Sequence, residues 1–198
     1  MQQKEQQQVP RDLEVTTSAP AYSPGDPLFR GTVTPTAQMV LHHLPDANTL
    51  QALGLVALRH GQLEYALRMV IKSLTGQEVL PALESTFRKS VWQLRKTIVE
   101  TAEKELGPGA HLEKLGELID RAEVASDKRN KYLHSLYAEE LDGDPMLLGD
   151  NHKWEPVPTP EQLTELAGEI ISIANELHEA RIHGFLKEAI AAAKSARR

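Results

Sequence analysis

From Asp46 to the C-terminus, apart from one irregular stretch, apolar residues return every three or four positions, and no other feature restricts the fold as much. That spacing gathers them on one stripe of a helix, whereas a strand would need strict alternation. The first stripe reads Leu53, Ala57, His60, Glu64, Leu67, Ile71 and Leu74, and predicts a helix from about Ala47 to Leu74 with Gly76 as its stop. A second helix is predicted from about Gln77 to Leu106, with Leu80, Leu83, Phe87, Val91, Leu94 and Ile98 inward, ending at Gly107-Pro108-Gly109. A third runs from near Ala110 to about Leu141, with Leu112, Leu115, Ile119, Ala122, Leu133 and Leu136 on one side. The irregular stretch LDGDPMLLGDNHKWEPVPTP follows, with room for a short hairpin. Thr159 and Gln162 then form a capping-box pattern opening a last helix through Leu163, Leu166, Ile170, Ile173, Leu177 and Ile182. The expected fold is all-α: an antiparallel bundle of four helices, or up to five.

Residues 1–46 differ. They begin Gln-rich and carry Pro10, Pro20, Pro24, Pro27, Pro35 and Pro45, six of the twelve prolines, with no regular apolar spacing. An extended or disordered arm is expected there, tied down by Leu28, Phe29, Met39, Val40 and Leu41, and the bundle domain occupies 47–198. With 198 residues and 40% hydrophobic content, the chain suffices for one domain and an appendage. A formal net charge of −6 means that any site for a polyanion must be local. The absence of cysteine excludes disulfides and thiolate metal sites. The polar N-terminus MQQKEQQQVP has no signal-peptide core, and no segment approaches the roughly 18 apolar residues of a membrane span. A cytoplasmic protein without membrane contact is the expectation.

The third helix contains DKRNKYLHSLY, residues 127–137. On a wheel of about 100° per residue, Leu115, Ile119, Ala122, Ser126, Arg129, Leu133 and Leu136 share a face, so Arg129 lies in the apolar row. Asn130 and Tyr137 fall beside the row, and His134 lies further round, roughly 140° from Arg129 on that wheel. An arginine in such a row is costly to desolvate unless it meets an anion or a fixed acceptor. A core carboxylate such as Glu64 would satisfy it, and so would a ligand.

RNKYLH, Arg129 to His134, resembles the motif of the HEPN superfamily of all-helical proteins, in which Arg and His stand four to six residues apart and a polar residue, often Asn, follows the Arg. The resemblance covers about residues 47–185 and includes the long preceding helix with ALRHGQLEYAL, the motif helix, a loop and a closing helix. It implies a metal-independent endoribonuclease without cofactor, acting as a homodimer whose two motif helices build one cleft. Arg129, Asn130 and His134 would then be the catalytic residues, and Lys128, Lys131, Tyr137 and Glu64 stand as candidate substrate-binding residues. The chemistry suits the residue types: an imidazole exchanges protons near neutrality, and a guanidinium stabilises charge developing on a phosphate. The divergence of Arg129 and His134 on the wheel points the same way, toward paired helices from two subunits. Some toxin members carry a tyrosine two residues after the histidine, which a partner nucleotidyltransferase modifies. Here that position is Leu136 and the tyrosine is Tyr137, so modification by an antitoxin-like partner is not expected. Other members bind nucleotides, RNA or proteins without cleavage, and the acidic balance of this chain favours that alternative.

Two further groups carry weaker signals. His60 and Glu64, four apart, have the spacing of two metal ligands but lack a third, so a buried hydrogen-bonded pair, or Glu64 orienting Arg129, is the better reading, and no metal is expected. Arg88, Trp92, Arg95 and Lys96 share one flank of the second helix; a base could stack on Trp92, although an indole covering the bundle or a subunit contact is the more ordinary role. His178 and His183 are too far round from each other for a helix metal site. Asp150, Asn151 and His152 read as turn residues.

Overall fold

A computed structural model of the chain describes residues 39–40, 45–140, 144–149 and 153–197, all within one compact unit, 37–198. The expectations for residues 1–38 and 41–44, Leu28, Phe29 and Leu41 among them, and for Asp150, Asn151 and His152 lie outside the described residues. The protein is mostly helical, and the expected all-α architecture is corrected by a small antiparallel sheet.

Helix α1 spans Ala47–Thr75, as its stripe predicts. The Asp46 carboxylate starts it by accepting from the backbone N–H groups of Asn48 and Thr49, at 2.8 and 3.1 Å, and from the Thr49 hydroxyl at 2.6 Å. Those bonds, the Thr49 hydroxyl foremost, hold the Asp46 carboxyl below its ordinary range. Gly76 ends the helix at φ +68°, a left-handed conformation that favours glycine.

The single helix expected over 77–106 is two, α2 (Val79–Thr86) and α3 (Val91–Leu106). The break comes from Ser90: its hydroxyl accepts from the Gln93 N–H, and the Gln93 side chain accepts from the Ser90 N–H, which makes a capping box and a new helix start. As a result Leu80 and Phe87, expected inward, are 71% and 77% exposed.

Helix α4 (Ala110–His134) stops earlier than the expected Leu141. Ser135 turns to extended backbone, and Leu136–Glu140 becomes strand β2, pairing antiparallel with β3 (Pro145–Leu148), which pairs in turn with β4 (Trp154–Pro156). A two-residue β1, Met39–Val40, adds to the free edge of β2. The register sets Tyr137 opposite Leu147 and Ala138 opposite Met146; Ala138 and Leu147 are fully buried, while Leu136 is exposed. Leaving the helix at Ser135 thus takes Leu136 out of the stripe in which the helical spacing had placed it. Beyond the sheet, α5 (Pro160–Ile182) starts at the Thr159–Gln162 capping box, and α6 (Phe185–Ala196) follows a break at His183-Gly184.

The core forms where α1 packs on α5, with α3, α4 and α6 closing around them. Leu63, Leu67, Leu94, Ile98, Ile119, Ile170, Ile173 and Leu177 are wholly buried there. Each such side chain contributes roughly 1.5–3 kcal/mol through removal from water. Among the described residues no helix is long and apolar enough to cross a membrane.

Candidate functional site

The apolar row of α4 rises from the core to the surface over residues 115–130. Leu115, Ile119 and Ala122 are buried among apolar neighbours, and the next residue in the row, Ser126, is buried too. Its hydroxyl donates to the Ala122 carbonyl at 2.7 Å, so its lone pairs face His60 Nε2 of α1 at 3.2 Å. One turn on, Arg129 is half-buried and points into a cleft of about 360 Å³ lined by residues of α1, α4 and the start of α3. His60, Glu64, Ser90, Trp92, Asp127 and Asn130 are among its walls.

Arg129 does not pair with Glu64. Its Nη1 donates to Asn130 Oδ1 at 2.9 Å and to His134 Nε2 at 3.3 Å. An arginine N–H has no lone pair to offer, so His134 accepts through Nε2 in this arrangement. Arg129 Nε is buried with no hydrogen-bond partner, as is the Nε of Arg68 and of Arg95, and among the described residues no carboxylate lies within ion-pair distance of Arg129. The Glu64 carboxylate is held instead by Arg68, at 3.0 Å, and lies 3.5 Å from His60 Nδ1. The three motif residues therefore meet within a single chain. Their divergence on the ideal wheel does not keep them apart, because the arginine stem is long and His134 is the last residue of the helix, so convergence needs no second subunit.

The other candidates divide. Glu64 lines the same cleft as Arg129 and Asn130. Lys128 turns toward α5 and pairs with Glu169 at 3.3 Å, beside a different cleft. Lys131 pairs with Glu155 of β4. The Tyr137 hydroxyl donates to the Tyr132 carbonyl at 2.7 Å and ties the end of α4 to β2; burial, with a smaller effect of Tyr132, pushes the phenol up to about 12. None of Lys128, Lys131 and Tyr137 is brought to the Arg129 cleft.

Burial pushes the His60 imidazole below its ordinary value, and the nearby Arg129 charge adds to this against the opposing effect of Glu64. His60 is thus a neutral wall of the cleft at pH 7. Among the described residues no three His, Asp or Glu side chains are grouped as a metal site would need.

Two contributors to the cleft escaped the sequence reading. Ser126 stands in the apolar row, where a hydroxyl mid-helix signals a buried polar partner. The start of α3 was legible in Ser90-x-x-Gln93, the same signature that marked Thr159-x-x-Gln162. That start carries Trp92 to the cleft rim, 59% exposed, so the indole does not serve to cover the bundle. Compared with known family models, curated proteins and solved structures, the chain matches none.

Proposed function

We propose that the protein is an HEPN-like, metal-independent endoribonuclease of the cytoplasm, with Arg129, Asn130 and His134 as its catalytic residues. The observation that carries this reading is the state of Arg129: a half-buried guanidinium with no carboxylate partner among the described residues, bonded only to the neutral Asn130 and His134 acceptors. Neutral acceptors leave the positive charge uncompensated, so an incoming phosphate gains a charge-assisted bond that no internal carboxylate already supplies. Arg129 then leaves His134 Nε2 for the phosphate, and the freed lone pair takes the proton of the neighbouring 2′-hydroxyl. The 2′-oxygen bonds to phosphorus, the bond to the 5′-oxygen breaks, and that oxygen leaves with a proton from solvent or from a second histidine. The products are a 2′,3′-cyclic phosphate and a 5′-hydroxyl. A homodimer that sets two motif helices face to face would supply the second histidine and is part of the proposal.

Labelled RNA incubated with the purified protein and a metal chelator tests it. Cleavage ending in a cyclic phosphate is expected, with loss of about 100-fold or more on Arg129→Ala or His134→Ala, the scale of removing one transition-state donor or one general base. Cleavage absent from the wild type, or surviving both substitutions, would sink the ribonuclease reading.

A second reading is favoured by the charge of the cleft itself. Glu64, Glu123 and Asp127 line it beside the single motif cation. A non-catalytic module that binds nucleotides, RNA or a protein through the same residues would show saturable binding without cleavage. Glu64 is compensated by Arg68, and Glu123 by Arg95 at 2.9 Å, which leaves Asp127 as the acid opposing a phosphate.

A further inference from the structure

We propose that Trp92 is a base-stacking platform for single-stranded RNA, adjoining the phosphate site at Arg129; the inference rests on the RNA reading of that site. Trp92 is the second residue of α3, and the capping box at Ser90 fixes where that helix begins. Trp92 lines both the Arg129 cleft and a second cleft of about 350 Å³. The second cleft is lined by Arg95, Lys96, Val99 and Glu100. A 59% exposed tryptophan lining two clefts leaves a large apolar surface in water, outside the set of side chains packed on the core.

The two cations open to a phosphate in these clefts favour a nucleic acid strand over an apolar peptide, with Asp127 as the acid that opposes it. Arg129 stands in the first cleft without an acid partner among the described residues. In the second, Lys96 Nζ sits over one face of the indole, 5.8 Å from its centroid, so a base stacks on the other face or displaces the ammonium. The Lys96 ion pair with Glu100 is long, 3.9 Å, between two well-exposed side chains. Exposed pairs of that kind add little and are readily exchanged for a phosphate. Arg95 is committed to Asp120 and Glu123, at 2.7 and 2.9 Å, and serves to hold α3 against α4. Each of the two clefts that Trp92 lines thus holds one cation available to a phosphate, the combination by which a strand is held through its backbone while a base lies on the ring. Stacking needs only a π-face, so this position would bind any base and contribute affinity rather than sequence choice.

The test uses the full chain carrying Trp154→Phe, which leaves Trp92 as its one indole, since the sequence has two tryptophans. The probe is an oligoadenylate of about eight nucleotides, within the span one such surface covers, 2′-O-methylated against cleavage and labelled at one end. Binding is followed by the anisotropy of the label and by indole emission. The expected result is quenching of Trp92 with the same midpoint as the anisotropy, a weakening of about ten-fold on Trp92→Leu, and near-wild-type affinity for Trp92→Phe. Circular dichroism checks that the Trp92 variants keep their helices. Normal anisotropy binding with unchanged indole emission and no effect of Trp92→Leu would overturn the stacking site while leaving the RNA reading intact, and would assign the exposed ring to a protein contact. No binding by the parent chain in either signal would overturn both.

Discussion

Two side chains decide what the cleft does, and they are coupled. Arg129 is bonded only to neighbours on its own helix, and its charge is one of the causes that hold the His60 imidazole below its ordinary value. Arg129→Ala should therefore leave thermal stability nearly unchanged, within about 0.5 kcal/mol, the usual range for substitutions outside a buried network, while raising the His60 titration midpoint seen by NMR. A sharp loss of stability would instead mark Arg129 as a structural group. The imidazole has its own consequence for pH. His60 protonates less readily in the folded chain than in the unfolded one, where the midpoint is about 6.5. As pH falls below that value the unfolded state takes up a proton that the native state refuses, so stability drops until the folded-state midpoint is passed and both states carry it. The groups facing the ring are Glu64 on α1 with Ser126 and Arg129 on α4. Melting curves from pH 7.5 down to 5 should slope more steeply for the wild type than for His60→Gln, and parallel slopes would remove His60 as the cause.

The local rules that build the elements are also the ones that set the cleft walls. Removing the Ser90 cap should cost about 1 kcal/mol. Because Ser90 also fixes where α3 starts, Ser90→Ala should shift Trp92 and change its emission, whereas Thr159→Ala, at the other capping box, should cost as much stability without touching the indole. Tyr137→Phe should cost about 1 kcal/mol through the lost bond to the Tyr132 carbonyl, measured by urea denaturation. Much at this scale was legible in the residues: α1 and α5 lie where their stripes put them, because long periodic runs with a cap and a stop leave little choice. The second and third helices were drawn too long for one physical reason. A 3.6-residue pattern fits by chance across a break of a few residues, so Phe87 and Leu136 extended stripes past the points where α2 and α4 end. In the site, Arg129 stood out from its place in the apolar row and Asn130 from its position beside it. The meeting of Arg129 with His134 was not legible, since an ideal wheel records Cα directions and not the reach of an arginine.

For the molecule as a whole, charge sets the scale of any RNA binding. A chain with a net charge of −6 gives no general attraction to a polyanion. Several of its cations, moreover, are held by acids: Arg121 by Glu176 at 2.7 Å, Lys128 by Glu169, Lys131 by Glu155 and Arg197 by Glu105 at 2.6 Å. Arg129, with no carboxylate partner among the described residues, and the loosely held Lys96 are the groups placed along the proposed strand path. Two phosphates neutralised on a single strand correspond to a slope of log K against log salt of roughly −1.4. Affinity for the 2′-O-methylated oligoadenylate should then fall by only about five- to ten-fold between 50 and 200 mM salt, against the roughly 10³-fold or larger loss of a basic protein making many phosphate contacts. Lys96→Gln should take the slope to about half, and Trp92→Leu should weaken binding at every salt concentration without changing it, because stacking releases no counterions. A steep slope in the wild type would mean that cations outside these two clefts carry the strand, and the path over Trp92 would have to be abandoned.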